Sequence, residues 1–181
     1  PKAKTKFNEA LTAAQTHPDS LRVAPLLGLA SIARIQGEWT RAETHLAAAE
    51  QSARSAPKEV QARVQVERAQ LAMAQGDRES ANTALRQAAD AVENSPERAV
   101  YVAEITLAQA TIAQVWGQLT TAHETFKAAQ ELWESNAREH PGAARTLIGL
   151  ADLQAQLGNL REAELSIQRA VTLVERSEHA S

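Results

Sequence analysis

Five histidines, His17, His45, His123, His140 and His179, are the side chains best suited to metal ligation or proton transfer near neutral pH. No two stand three or four residues apart, so no helix face presents a pair, and no His-Glu-x-x-His or His-x-x-Glu spacing occurs. Zero cysteines remove disulfides, thiolate metal sites and a thiol nucleophile. His17 and His140 each precede a proline, in "THPDS" and "EHPGA", and read as turn residues. His123 stands beside Glu124, but adjacent helical residues point in different directions, so the two form no acid–base pair. The segment "GLASIARIQG", Gly28–Gly37, lacks both the glycine spacing and the preceding strand of a phosphate-binding loop. Serine nucleophile motifs are absent as well. The many carboxylates read as surface ion-pair partners, for example Glu162 with Arg161 and Arg169 on neighbouring turns. The expectation is a non-enzyme with no catalytic residue, no metal and no cofactor.

Charge and composition narrow the classes further. With a formal charge of -3 and both signs interspersed, the chain lacks the basic stripe that neutralises a phosphate backbone, so no direct nucleic-acid ligand is expected. No apolar run reaches the length of a membrane span, and no signal peptide is evident. A cytoplasmic protein is the expectation. Aromatics make up 3% of the chain against 44% hydrophobic residues overall, so the apolar material is Ala, Leu, Val and Ile, as in close-packed helices. The opening on Pro1 reads as an excised or processed segment of a larger multi-domain protein.

The elements that would position any site repeat. Gly37, Gly76, Gly117 and Gly158 are 39, 41 and 41 residues apart. Five residues after each comes Ala42, Ala81, Ala122 or Ala163; nine after, Leu46, Leu85, Phe126 or Ile167; twelve after, Ala49, Ala88, Ala129 or Ala170. Upstream, the same register holds Ala30, Ala69, Ala110 and Ala151 at minus seven. Ile32, Leu71, Ile112 and Leu153 occupy minus five, and Leu27, Val66, Leu107 and Ile148 occupy minus ten. Apolar recurrence at i, i+3 and i+4 on both sides of each glycine is helical, and the glycine supplies a left-handed residue to end the first helix. Pro18, Pro57, Pro96 and Pro141 open the units, with Ser95 as an N-cap. First helices are placed near 19–36, 58–75, 97–116 and 142–157, and second helices near 39–54, 78–93, 119–138 and 160–176. Ala3, Phe7 and Ala10 repeat the second-helix spacing, so 1–16 reads as the second helix of a truncated repeat. Four repeats follow, at 17–56, 57–95, 96–139 and 140–181, with a longer, irregular junction at 135–142. Trp39, Trp116 and Trp133 are expected to fill gaps between helices.

These columns resemble the tetratricopeptide repeat family, whose units carry a small residue in the first helix, Gly at the turn, and then Ala, a large apolar residue and Ala. Only Trp39 keeps the aromatic two residues after the glycine, and the usual Trp early in the first helix is missing. The unit of about 40 residues is longer than the common one. It is similar both to kinesin-light-chain-type repeats, where a His-Pro pair opens a unit, and to the sensor arrays of large bacterial ATP-dependent regulators. The resemblance implies an all-α, right-handed α-α superhelix, a tetratricopeptide-like solenoid of about nine antiparallel helices. It implies also a groove lined by first helices that binds a peptide or a partner helix.

Counting from the turn glycines, the groove positions are Ser31, Gln70, Thr111 and Asp152 at minus six, and Arg34, Met73, Gln114 and Ala155 at minus three. At minus thirteen they are Ala24, Arg63, Glu104 and Arg145. The mixture is polar and of both signs, without the Lys and Asn pair with which chaperone-binding members clamp a terminal carboxylate. A protein or peptide partner is expected; the alternative is a sensor array that binds a small molecule or a regulatory protein. The last helix carries Leu165, Ile167, Val171, Leu173 and Val174, more than one apolar stripe, before the polar "ERSEHAS". Natural arrays finish on a polar capping face, so this end is expected to be covered by a further repeat, another domain or a second copy.

Overall fold

The computed structural model describes residues 2–14 and 19–179. Among the described residues there are nine α-helices and no strand. In chain order they are α1 (Lys2–Ala13), α2 (Val23–Ile35), α3 (Trp39–Ala53), α4 (Lys58–Gln75) and α5 (Arg78–Ala91). After these come α6 (Arg98–Val115), α7 (Leu119–Asn136), α8 (Pro141–Gln156) and α9 (Leu160–His179). A 3-10 turn, Asp19–Arg22, leads into α2. His17, Pro18 and the side chain of His179 lie outside the described residues.

Each turn glycine does what its spacing predicts. Gly37, Gly76, Gly117 and Gly158 have φ between +71° and +80°, and no other described residue has positive φ. At each turn the residue after the glycine donates its N–H five residues back: Glu38 to Ala33 O, Asp77 to Ala72 O, Gln118 to Ala113 O and Asn159 to Gln154 O, all at 2.8–2.9 Å. With the glycine N–H bonded three residues back, this is a Schellman closure repeated four times. The second helix then starts at once, Ala42, Ala81, Ala122 and Ala163 donating to the carbonyls of Glu38, Asp77, Gln118 and Asn159. Asp77 adds a side-chain cap that Glu38 and Gln118 lack, its Oδ1 accepting from Ser80 N at 3.0 Å.

Two compact units result, Pro1–Ser95 and Pro96–Ser181. In the first, each helix packs on the next from α1 to α5, and the first helices α2 and α4 also touch. In the second, α6 through α9 pack the same way, and α6 touches α8. Alanine forms the seams: every alanine of the minus-seven, plus-five and plus-twelve columns is buried. Side chains this small let helix backbones approach, so even one added methylene at such a position meets resistance. Aromatic rings enter where the opposing helix has no side chain. The ring of Phe7 on α1 lies over Gly28 on α2, and that of Phe126 on α7 lies over Gly149 on α8, where an added Cβ would come within 2.5 Å of the ring.

Several expectations are corrected. Ser95 does not cap α6, which begins at Arg98 with Glu97 before it; the Ser95 hydroxyl instead donates to Glu59 Oε1 at 2.6 Å. Trp39, in the first turn of α3, is 41% exposed and does not fill a gap between helices. Trp116 is half-buried, whereas Trp133 is buried as expected. Ile148 and Ile167, in columns otherwise buried or half-buried, are 50% and 43% exposed. Glu162 is not the partner of Arg169, which reaches across to Glu134 Oε1 on α7 at 2.7 Å.

Candidate partner-binding surfaces

Within the first unit, three of the predicted groove residues meet. The Arg34 guanidinium on α2 donates to Gln70 Oε1 on α4 at 2.8 Å and to Ser31 Oγ at 3.3 Å. Its Nε donates to Glu67 Oε1 at 3.1 Å, a partly buried ion pair that the column positions did not single out. Glu67 stands nine residues before Gly76, where Gly28 and Gly149 occupy the equivalent place, so nothing in the period marks it. Arg63 is exposed and Met73 half-buried, and neither joins this cluster.

The second unit shows the same juxtaposition of successive first helices. Gln114 Nε2 on α6 donates to Asp152 Oδ2 on α8 at 2.7 Å, and Gln156 donates to the same oxygen at 3.0 Å. Arg145 on α8 lies 3.7 Å from Glu104 on α6. Thr111 turns its hydroxyl back to Leu107 O, a bond within its own helix. In each unit the residue three before one glycine thus bonds to the residue six before the next, Arg34 to Gln70 and Gln114 to Asp152, which places them on a shared polar face.

A second concavity in this unit lies elsewhere, where α7, its junction with α8, and α9 converge. It encloses about 370 Å³, at the lower end of the range for ligand pockets. Trp133, Ala143, Leu147 and Leu173 give it an apolar floor. Trp133 is held from three sides. Its Nε1 donates to Thr146 Oγ1 at 3.0 Å, its ring stacks on His140 with centroids 4.6 Å apart and planes 6° apart, and Gly142 lies against its edge. His140 in turn caps α8, its Nδ1 accepting from Gly142 N at 3.1 Å, so this histidine is a turn residue as expected. Arg138, Arg169 and Arg176 stand at the rim with one acid, Glu134. The Gln130 amide first, then the Arg169 and Arg138 guanidiniums, hold the Glu134 carboxyl below its ordinary range.

At the last helix, Leu165, Ile167, Val171 and Val174 are 43–54% exposed, and Leu173 is half-buried against α7 and α8. Among the described residues no group of three or more His, Asp or Glu side chains converges to hold a metal. No described helix is long and apolar enough to cross a membrane.

Residues 101–176 match the tetratricopeptide repeat family model. No curated protein matches the chain. Among solved structures, BtubC (BKLC) from P. vanneervenii is similar in fold. It aligns over 98% of this chain and 74% of that one, with a TM-score of 0.62 and 18% identity. The glycine closures, the alanine seams and these two likenesses agree: the helices of each unit pack in the all-α manner of tetratricopeptide repeats, and residues 101–176 match the model of that family.

Proposed function

We propose that the protein is a non-catalytic interaction scaffold whose first helices present a polar face to an extended peptide or a partner helix. Its repeats run 17–56, 57–95, 96–139 and 140–181 behind a leading second helix at 1–16. Tetratricopeptide repeats generally mediate protein–protein contacts. The observation that carries the reading is the pairing of aligned side chains across adjacent first helices, Arg34 with Gln70 and Gln114 with Asp152. Such bonds fix the rotamers of long polar side chains before a partner arrives, so less conformational entropy is lost on binding. Ser31, Arg63, Met73, Glu104, Thr111 and Arg145 complete the proposed surface.

Site-specific photocrosslinking tests this reading. A photoreactive residue at Met73 or Gln114 should trap a protein partner in cells, and one at exposed Asn82 on α5 should not. Equal trapping at all three positions would remove the first-helix face from consideration. A thermal shift with a metabolite, without any protein crosslink, would favour the sensor reading instead. The exposed residues Leu165, Val171 and Val174, with Leu173 beside them, support a second contact, self-association through α9. Sedimentation equilibrium of the parent and of Val171→Glu/Val174→Glu tests it: a monomeric parent would exclude this contact.

A further inference from the structure

The cleft between α7, the α7–α8 junction and α9 shares no residue with the first-helix face, and it has a chemistry of its own. Its floor is apolar, built from Trp133, Leu147 and Leu173, while its rim carries three guanidiniums against one carboxylate. That carboxylate, Glu134, is already engaged by Arg169 at 2.7 Å and by Gln130 at 2.7 Å. Arg138 and Arg176 are exposed and form no close ion pair among the described residues, Arg138 acting on Glu134 only at longer range. An apolar floor below two guanidiniums without a close carboxylate is complementary to an apolar group flanked by negative charge.

We infer that this cleft is a docking site for an acidic peptide segment of a partner protein, which inserts one aliphatic side chain against half-buried Leu173, above the buried Trp133 ring, and sets carboxylates against Arg138 and Arg176. Spacing selects a peptide. Arg138 and Arg176, the two rim cations without a close acid, come from different elements, the α7–α8 junction and α9, 38 residues apart in sequence. A small molecule with a single carboxylate reaches one rim position. In an extended chain, residues three apart are separated by about 10 Å, so acids flanking an apolar residue can span the rim.

The test uses a terminally blocked peptide, acetyl-Gly-Ser-Glu-Ser-Leu-Glu-Ser-Gly-amide, titrated into the full chain. The readout is the NMR signal of the Trp133 indole N–H, with the indoles of Trp39 and Trp116 as internal references. Saturable movement of the Trp133 signal alone is expected. Exchanging both glutamates for glutamine, leucine for serine, or making Arg138→Ala/Arg176→Ala should each weaken binding about fivefold to tenfold. The charge-reversed Arg138→Glu/Arg176→Glu protein should in turn prefer the peptide with lysines in place of glutamates. No Trp133 response at about 1 mM peptide, or equal responses to the glutamate and glutamine peptides, would overturn the inference. So would full binding by the alanine variant, or decanoate saturating the cleft at lower concentration than the peptide. The outcome is independent of the first-helix face, because neither peptide nor substitution touches it.

Discussion

Gly142→Ala should destabilise the second unit although alanine is the better helix former. An added Cβ at Gly142 would stand 2.7 Å from Trp133 Cη2 and 2.9 Å from Cε2, whereas relaxed carbon contacts lie at about 3.5–4.0 Å. The ring therefore has to retreat by about 1 Å. Retreat is resisted: the indole N–H is bonded to Thr146 Oγ1, that hydroxyl is bonded to Gly142 O at 2.9 Å, and His140 is stacked on the ring. Overpacking of this kind costs about 1–3 kcal/mol. The propensity gain of alanine is at most about 1 kcal/mol in a helix interior and smaller in the first turn, where Gly142 sits. A net loss of about 1–2 kcal/mol follows, or roughly 2–8 °C in the unfolding midpoint of a chain this size. In a Trp133→Phe background the smaller ring leaves room, so the same substitution should cost little, giving a coupling of about 1–2 kcal/mol in a double-mutant cycle. Urea unfolding followed by far-UV circular dichroism measures all four proteins. A Gly142→Ala protein as stable as the parent, or a penalty unchanged by Trp133→Phe, would refute this account of the clamp.

Ala122→Leu, at a fully buried seam position, should cost about 1–3 kcal/mol by the same overpacking, again read from urea unfolding. Arg34→Ala strands Glu67 and Gln70 without their shared donor and should cost about 1–3 kcal/mol; Arg34→Lys, with no fork to divide between three acceptors, should recover only part of it. Hydrogen bonds from Ser80 hold the Asp77 carboxyl below its ordinary value, and Glu59 is lowered likewise by Ser95. The unfolded state therefore binds protons first as the medium is acidified. The stabilisation is fully present above the ordinary carboxylate range, about pH 4, and is lost as pH falls through the lower folded-state values. Asp77→Asn should flatten that part of the stability–pH curve, and an unaltered curve would remove the cap from the explanation. His45, depressed by burial and then by Arg41 and Lys4, acts in the same direction nearer neutrality, its contribution falling as pH drops below about 6.5. His45→Gln should remove that slope.

What was legible in the sequence was whatever the repeat period enforces. A turn that demands positive φ admits glycine with little competition, so four glycines announce four helix ends. A seam between close helices demands alanine, so the alanine columns mark the buried face. The features that escaped lie off the period. Trp133 occupies the position that Ala53 and Val92 hold in the earlier units. It fits only because Gly142 and His140 come with it in a longer junction, an arrangement found in one unit. The rim of Arg138, Arg169 and Arg176 is assembled around that exception, from two elements 31 residues apart in sequence at the nearest pair. Trp39 was misplaced because its offset from the glycine predicts a helical turn without saying which side of that turn faces the neighbour.

Nearly every helix here finds its packing partner in the helix next to it or next but one along the chain. Contacts of such short sequence separation close small loops and form quickly. During synthesis, each hairpin therefore has its partner at hand as soon as the following helix leaves the ribosome. Folding can follow translation step by step, and an apolar seam waits for one more helix rather than for the end of the message.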